Sequence, residues 1–211
     1  MSGILRAAAA ILLFLSLFSG SMAADASDGS KIADTANDTV KFVVLSDSHI
    51  GLDEENNTWK MFHYSQKIVS DMVNDIEEMG DVDFILLPGD LTKDSEPKNH
   101  QWFIDLLSPL DIPYYITPGN HDVLKKGIPE ENWGPEELRK NYPMPWRADS
   151  LSYSLDVAPG LHLIALDSAS HQSHFEDWGG ATSKEDLEWL EQDLADNAGK
   201  TGFVMTHNAL N

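Results

Sequence analysis

The sequence predicts an α/β fold that begins with a parallel sheet and continues into a second sheet. Three observations support this prediction. Short apolar segments alternate with amphipathic ones between residues 41 and 117, as in consecutive βαβ units. Residues 151–157 alternate apolar and polar side chains, then the turn Ala158-Pro159-Gly160 leads into a second apolar segment, which is typical of a hairpin. One more helix and one more strand follow before His207.

The first sheet has three predicted strands, at residues 41–46, 84–87 and 114–117. Apolar side chains at helical spacing predict a helix from Met61 to Met79. This helix is expected to end at Gly80, because glycine readily adopts the left-handed conformation that terminates helices. A second helix is predicted at 97–108, with Pro97 in its first turn. Because crossover connections between parallel strands are right-handed, these segments form a single parallel sheet.

The hydrophobic periodicity is less regular in the second half of the chain. Asp122–Asp149 has no clean periodicity and is rich in proline and tryptophan, so we interpret it as a loop over the site that faces the substrate. A helix is predicted from Thr182-Ser183, which has capping-box character, to Gly199. Its buried residues are expected to be Leu187, Leu190 and Leu194. The last strand, 202–206, runs into His207.

Composition and charge exclude several classes of function. The 211 residues are enough for one sizeable core, and a hydrophobic content of 42% argues against intrinsic disorder. The formal net charge of -21 disfavours nucleic-acid binding, because an acidic surface repels the phosphate backbone. An anionic substrate must therefore be attracted by locally placed cations. The chain has no cysteine, so any metal site must consist of histidine and oxygen ligands.

The amino-terminal segment is predicted to direct export. A positive charge precedes the apolar run Ala7–Phe18, and small residues at Ser21 and Ala23 match a signal-cleavage pattern. We therefore predict a signal peptide at 1–23, a flexible lead-in at 24–40 and one domain at 41–211. The protein is expected to be secreted or extracytoplasmic. An uncleaved membrane anchor and a buried core helix are the alternatives for the apolar run.

Polar side chains follow four of the predicted strands. Asp47 and His49 follow the first, Asp90 the second, Asn120-His121-Asp122 the third, and His207 the last. Ligands bind at the carboxyl ends of the strands in open α/β sheets, so we expect these groups to converge. Taken singly, each motif is more typical of surface polar residues, helix caps or turns, and His207 is equally typical of a structural histidine. Their joint occurrence at successive strand ends favours a metal site.

These ligand types suit two divalent cations, which we expect to be Mn, Fe or Zn. Asp47 and His49, two residues apart in an extended segment, are predicted to point the same way and hold one ion. Asp90 is predicted to bridge to a second ion, whose other ligands are Asn120 and His207. Two such ions clamp a phosphoryl oxygen and acidify a bridging water.

His121 lies beside these ligands in the sequence without being needed as one of them. We predict that it protonates the leaving oxygen or stabilises charge on the phosphoryl group. Asp122, the next residue, is predicted to hold the imidazole ring of His121 in place. The predicted catalytic pair is therefore His121 and Asp122.

Four pieces of the sequence together resemble the motifs of the calcineurin-like metallophosphoesterase family, across about residues 41–208. They are Asp47-Ser48-His49, Gly89-Asp90, Gly119-Asn120-His121-Asp122 and His207. The resemblance implies a four-layer α/β/β/α sandwich and a two-metal hydrolase acting on a small phosphoester. It implies the same five metal ligands, with His121 as the general acid or phosphate contact. Residues 86–92 and 163–168 look most like the exported or cyclic-nucleotide phosphodiesterase branch.

The sequence departs from the family pattern in one respect. The resemblance implies a Gly-His-x-His motif beyond His207 that gives one ligand to each ion, but the sequence stops at Asn211. We therefore expect an incomplete second sheet, in a chain that is the amino-terminal part of a longer protein. His171 and His174 have the spacing of a metal pair, but they precede His207, and we interpret them as loop histidines.

The function predicted from the sequence is hydrolysis of a phosphodiester or phosphomonoester by a metal-activated water, with no covalent enzyme intermediate. The alternative is a catalytically inactive module that binds metal or a phosphorylated ligand, and the absent motif is the reason for retaining it. The sequence does not identify the substrate, because specificity depends on the loops. It does not select the metal either, because the ligands suit all three candidates.

Overall fold

The computed structural model describes residues 39–57, 60–123, 129–171 and 180–209. The predicted signal peptide, almost all of the lead-in and His174 lie outside these residues. In chain order the elements are β1 (Phe42–Val44), α1 (Phe62–Met79), β2 (Phe84–Leu87), α2 (Pro97–Leu107), β3 (Tyr114–Ile116), α3 (Pro135–Asn141), β4 (Tyr153–Ala158), β5 (Leu161–Ala165), α4 (Lys184–Asp196) and β6 (Thr201–Met205). Within the described ranges, no helix has both the length and the apolar character needed to cross a membrane.

The first sheet is parallel, with the strand order β1-β2-β3 and with α1 and α2 as crossovers. Side chains of β2 alternate between two buried faces. Ile85 and Leu87 pack in one core with α1 and α2, whereas Phe84 and Leu86 pack in another core with the second sheet. A sheet covered on both sides needs strands that are apolar on both faces, which is why these strands are continuously hydrophobic. The predicted parallel sheet is confirmed.

The second sheet has the order β4-β5-β6. The β4–β5 hairpin is antiparallel, as predicted, and β6 runs parallel to β5. Tyr153 and Met205 point into the core between the two sheets. Phe42 stacks on both Phe84 and Phe203, with ring centroids 5.1 and 5.9 Å apart, and so joins one sheet to the other. With α4 on the outer face of the second sheet, the order of layers is α/β/β/α, which confirms the predicted fold class.

The first two helices begin or end where the sequence signals predict. α1 ends at Met79, and Gly80 follows with a φ of 68°. Its N–H donates to the carbonyl of Glu77, so the last turn is closed by a left-handed glycine. α2 begins at Pro97, whose fixed φ suits a first helical position. These two signals therefore define the carboxyl end of α1 and the amino end of α2.

The excursion between residues 122 and 149 contains a helix that we did not predict. α3 spans Pro135–Asn141, and the Gly134 N–H before it donates to Glu137 Oε2 at 3.0 Å. Seven residues are too few to produce a helical repeat of apolar side chains, so the prediction of a loop was wrong for this part.

The predicted burial of α4 was wrong for two of its three leucines, and only Leu190 is partly buried. Leu187 and Leu194 are 49% and 44% exposed. The helix is attached by carboxylates instead: Asp186 accepts from Ser150 at 2.9 Å, and Asp193 bonds to His162 at 2.8 Å. The predicted amino-terminal cap is correct, since Ser183 accepts from the Asp186 N–H, but the helix ends at Asp196 rather than at Gly199.

Candidate metal centre

The loops after β1, β2 and β3 meet at the carboxyl edge of the first sheet. Backbone hydrogen bonds continue past the strands, with the Asp47 N–H donating to the Gly89 carbonyl at 3.1 Å. The His49 N–H donates to the Asp90 carbonyl at 2.9 Å. The third loop joins through the His121 N–H, which donates to Asp90 Oδ1 at 2.9 Å. The backbone therefore sets the spacing between the loops that carry the predicted site residues.

Three of the predicted ligands have left-handed backbone conformations. The φ angles are 57° for Asp47, 41° for His49 and 51° for Asp90. A non-glycine residue in this region costs about 1–3 kcal/mol, and such strain persists only where surrounding contacts impose it. The prediction of an extended segment from Asp47 to His49 was therefore wrong. At Asp47 and His49 the chain turns, and the N–H of each residue donates to a carbonyl of the neighbouring loop.

Two glycines allow the second and third loops to touch. A Cβ on Gly89 would lie 2.7 Å from the Gly119 Cα and closer still to its nitrogen, and the φ of Gly89 is 88°. A Cβ on Gly119 would collide with the backbone nitrogen and the side chain of Asp90. A side chain at Gly119 would displace Asp90, and one at Gly89 would push the two loops apart. The Gly-Asp and Gly-Asn pairs in the sequence thus reflect a steric requirement of the site.

The Asp122 carboxylate binds backbone N–H groups of the same two loops. Its Oδ2 accepts from the Leu91 N–H and the Gly119 N–H, both at 3.0 Å. Its Oδ1 accepts from the Thr92 N–H at 2.9 Å and from the Thr92 hydroxyl at 3.0 Å. Burial raises the pKa of Asp122, and the three backbone N–H groups oppose that increase. The prediction that Asp122 holds the ring of His121 was wrong, because backbone donors of the two loops surround its carboxylate.

The ring of His121 is held by residues that the sequence analysis did not single out. Its Nδ1 lies within hydrogen-bond distance of the Lys93 carbonyl and 3.1 Å from Asp94 Oδ1. A proton on Nδ1 therefore donates to these oxygens, and Nε2 is the ring nitrogen left facing the site. The one signal for Asp94 in the sequence is that it lies only four residues after the predicted ligand Asp90.

Four of the five predicted ligands form two groups that share Asp90, and His121, which was not predicted as a ligand, belongs to one of them. In one group are His49, Asp90 and His121, and in the other are Asp47, Asp90 and His207. The ligand atoms within each group lie within 4.8 Å of one another. His49 Nε2 is 3.3 Å from Asp90 Oδ2, and His207 Nε2 is 3.4 Å from Asp90 Oδ1. Each oxygen of Asp90 therefore faces a different histidine, as expected of a carboxylate between two cations.

The grouping differs in detail from the predicted one. Asp47 and His49 were assigned to the same ion, but here Asp47 groups with His207. The two residues remain near each other, with His49 Nε2 3.9 Å from Asp47 Oδ1. His207 Nδ1 lies 2.8 Å from the Pro88 carbonyl, so this bond orients the ring and leaves Nε2 toward Asp90. The structure thus brings His207 into the site, next to the Asp90 carboxylate with which it was predicted to share an ion.

The donor set fits divalent cations. Asn120 is 2% exposed, and its terminal Nδ2 is a buried polar atom without a hydrogen-bond partner among the described residues. An amide's oxygen and nitrogen are distinguished only by their partners, so this side chain is free to present its oxygen to a cation. Together with two carboxylates and two imidazoles, this amide completes a set of hard and borderline ligands.

The electrostatics of the site favour neutral imidazole and penalise a buried carboxylate. Burial, with Lys60 as the next cause, lowers the pKa of His49 to about 3. Burial, reinforced by the charge of Asp122, raises the pKa of Asp90. A neutral imidazole is the form that binds metal, and a cation beside Asp90 would relieve the cost of ionising it.

Lys60 is the second residue that the sequence analysis missed. Its Nζ lies 3.0 Å from His49 Nδ1 and 3.2 Å from His121 Nε2. No sequence motif marks it, because it reaches the site from the loop before α1. His171 lies elsewhere, with its Nε2 3.7 Å from Asp186 Oδ2, in agreement with its interpretation as a loop histidine. His174, which has the spacing of a metal pair with His171, lies outside the described residues.

Comparisons with known proteins agree with this geometry. The sequence profile of the calcineurin-like phosphoesterases matches residues 40–211. A probable glycerophosphodiester phosphodiesterase of Arcobacter nitrofigilis is 28% identical over 60% of this chain and 41% of its own length. A probable cyclic nucleotide phosphodiesterase of Fibrobacter succinogenes is 26% identical over 80% of this chain and 57% of its own length. The 3',5'-cyclic adenosine monophosphate phosphodiesterase of Haemophilus influenzae is 24% identical, with 81% and 56% covered. The chain therefore spans between two-fifths and three-fifths of these relatives.

Proposed function

This chain belongs to the calcineurin-like phosphoesterase family, and from that membership we propose that it hydrolyses a phosphoester at a centre of two divalent cations. The observation that carries the proposal is the position of Asp90. Its two carboxylate oxygens face two different groups of ligands, one containing His49 and the other containing His207. A single carboxylate shared in this way is the arrangement that a two-metal site requires.

Bound cations would polarise a phosphoryl oxygen and lower the pKa of the water that attacks phosphorus. The protein holds the groups around them. The His121 N–H fixes Asp90, and the Pro88 carbonyl orients His207 with Nε2 toward the site. The Lys93 carbonyl holds the Nδ1 side of His121, so that Nε2 is the nitrogen left to contact the phosphoryl group or the leaving oxygen.

We propose a phosphodiester as the preferred substrate and a phosphomonoester as the weaker one. The support is that the relatives reported above bear the names of phosphodiesterases. The choice among Mn, Fe and Zn stays open, because imidazole, carboxylate and amide ligands suit all of them. Elemental analysis of the purified protein would identify the bound metals and their number.

Hydrolysis of aryl phosphates tests the proposal directly. With added manganese, the protein is expected to release nitrophenolate from bis(4-nitrophenyl) phosphate faster than from 4-nitrophenyl phosphate. Chelation should abolish both reactions. Asp90→Asn should reduce turnover by about a hundredfold or more, because it removes the charge shared by both ligand groups, a loss comparable to that of a major electrostatic contact in an active site.

Two results would contradict the proposal. One is turnover that is unaffected by chelation or by Asp90→Asn. The other is metal-loaded protein that hydrolyses neither ester, which would favour the inactive binding module that the sequence analysis kept as its alternative.

Export is a second proposal, which depends on the amino-terminal segment. The apolar run Ala7–Phe18 followed by small residues supports a signal peptide cleaved after Ala23. Amino-terminal sequencing of the protein recovered from outside the cytoplasm tests it. A mature protein that begins at Ala24 would support cleavage, whereas a protein in the membrane fraction that still carries the apolar run would indicate an anchor.

A further inference from the structure

Lys60 places an ammonium group beside the candidate metal centre without using a carboxylate to hold it. Its Nζ contacts His49 Nδ1 at 3.0 Å and His121 Nε2 at 3.2 Å. The other lysine nearby, Lys93, pairs with Glu54 at 3.3 Å and with Asp94 at 3.3 Å. In the described part of the chain, Lys60 forms no such ion pair. It is thus a cation whose charge is available to an anion at the site.

The position of Lys60 is set by hydrogen bonds to Asn57 before α1. The Lys60 N–H donates to Asn57 Oδ1 at 2.7 Å, and the Asn57 N–H donates to the Lys60 carbonyl at 3.0 Å. Asn56 Oδ1 accepts from the His63 N–H at 2.9 Å in the first turn of the helix. The backbone at Lys60 is therefore fixed on both sides, and only its side chain extends over the site.

Lys60 contacts one ring nitrogen of each histidine, and this leaves Nε2 of His49 available as a metal ligand. His49 presents Nδ1 to the ammonium, while its Nε2 faces Asp90 at 3.3 Å. His121 presents Nε2, because its Nδ1 is engaged by the Lys93 carbonyl and by Asp94. The ammonium therefore lies next to the one nitrogen of His121 that we expect to contact the phosphoryl group.

The charges around Lys60 favour an anion at this position once cations are bound. The chain has a formal net charge of -21, so an anionic substrate approaches an overall repulsive surface. Half-burying an ammonium ion without a paired carboxylate is costly, and the nearest partners of Lys60 are ring nitrogens. Burial lowers the pKa of Lys60, and the charges of Asp90 and Asp94 oppose part of that shift. Cations bound by Asp90 would weaken this attraction and leave the ammonium available to an anion.

We propose that Lys60 is a substrate-binding residue whose ammonium contacts a non-bridging oxygen of the substrate phosphate. The inference rests on the proposed phosphoesterase function and goes further by assigning the phosphate contact to a residue outside the recognised motifs. A lysine ammonium is a compact point charge that binds phosphate through charge-assisted hydrogen bonds. It supplies the locally placed cation that the acidic composition makes necessary.

Binding of inorganic phosphate to the manganese-loaded protein tests this inference by calorimetry, independently of turnover. Lys60→Met is expected to weaken phosphate binding about tenfold or more, because it removes one charge-assisted hydrogen bond. The KM for bis(4-nitrophenyl) phosphate should rise more than kcat falls. Lys60→Arg should retain most of the affinity. Lys67→Met is the matched control, since Lys67 pairs with Asp71 on the exposed side of α1.

Each remaining outcome separates this inference from the proposed function. Lys60→Met protein that binds phosphate as tightly as the wild type, at equal metal content, would overturn the inference. So would a loss of affinity in both Lys60 variants that accompanies a lower metal content or a lower unfolding midpoint, because the role would then be structural. A wild type that binds phosphate through Lys60 but hydrolyses neither ester would support the inference and contradict the hydrolase proposal. A metal-loaded wild type that binds no phosphate would overturn the inference, while its turnover would still decide the hydrolase proposal.

Discussion

His100 is expected to make the stability of this protein fall steeply in mild acid. The side chain is fully buried on α2, where it stacks on Trp133 with ring centroids 4.8 Å apart. Its Nδ1 lies 3.0 Å from the Tyr142 hydroxyl and its Nε2 3.2 Å from Ser95 Oγ. One neutral tautomer satisfies both contacts, with the tyrosine donating to Nδ1 and Nε2 donating to the serine. A second ring proton would have no acceptor unless Tyr142 reversed its hydroxyl.

The size of the effect follows from the pKa shift. Burial lowers the pKa of His100 from 6.5 to about 3. Since the unfolded state takes up the proton at higher pH than the folded state, stability is lost as the pH falls below about 6.5 and continues to fall until about pH 3. For these two values the linkage relation gives a loss of about 2 kcal/mol between pH 7 and pH 5. Other groups add their own pH dependence, so a difference between variants is needed.

Urea unfolding of wild type and His100→Gln at pH 7 and at pH 5, with a chelator present throughout, isolates this contribution. The variant is expected to be less stable at pH 7, because it loses buried hydrogen bonds, but its free energy of unfolding should fall by about 2 kcal/mol less than that of the wild type. His63→Gln is the control, since His63 is exposed near the start of α1. Parallel losses in wild type and His100→Gln would refute the reasoning, because His100 would then titrate as it does in the unfolded chain.

Two further predictions concern the loops that carry the ligands. Gly119→Ala should lower the free energy of unfolding by about 2 kcal/mol or more and reduce the metal content, because its Cβ would collide with Asp90. Gly199→Ala is the control: no atom lies near its added Cβ, so it should be neutral within about 0.5 kcal/mol. Equal behaviour of the two variants in urea unfolding would contradict the steric argument. Asp94→Asn should lower kcat by about tenfold with unchanged unfolding and metal content, because it removes the charge beside Nδ1 of His121; an unchanged kcat would mean that the backbone carbonyl alone holds the ring.

Much of the fold could be predicted because the signals are local. The continuous hydrophobicity of Phe84–Leu87 predicts a strand covered on both faces, and the structure buries all four residues. Gly80 and Pro97 mark helix ends through their own backbone preferences, which do not depend on the rest of the molecule. Signals of this kind do not depend on the tertiary structure, so the order of strands and helices was correct apart from α3.

Predictions that depend on tertiary partners were less successful. The leucines of α4 have helical spacing, yet the helix is attached through Asp186 and Asp193, because serine, arginine and histidine side chains of other segments reach these carboxylates. Residue types alone do not reveal that a carboxylate has a buried partner. Leu187 and Leu194 were accordingly assigned to the wrong face.

The same distinction between local signals and tertiary contacts applies to the site. The residue types at the strand ends predict which side chains converge, because parallel strands bring their carboxyl ends together. The part played by Asp122 could not be predicted, since three backbone N–H groups from two loops determine it. Lys60 reaches the site from a loop that has no ligand motif, and its contacts with His49 and His121 exist only in three dimensions.

The bond between Asp122 and the two loops has a consequence for how the centre is assembled. The amides of Leu91, Thr92 and Gly119 converge on one buried carboxylate, so the loops are parts of the same cooperative unit as the strands beneath them. We therefore expect ion uptake to require little folding of these loops. We also expect one cation to replace another without a rearrangement of the chain, so that supply and coordination chemistry decide which metal is bound.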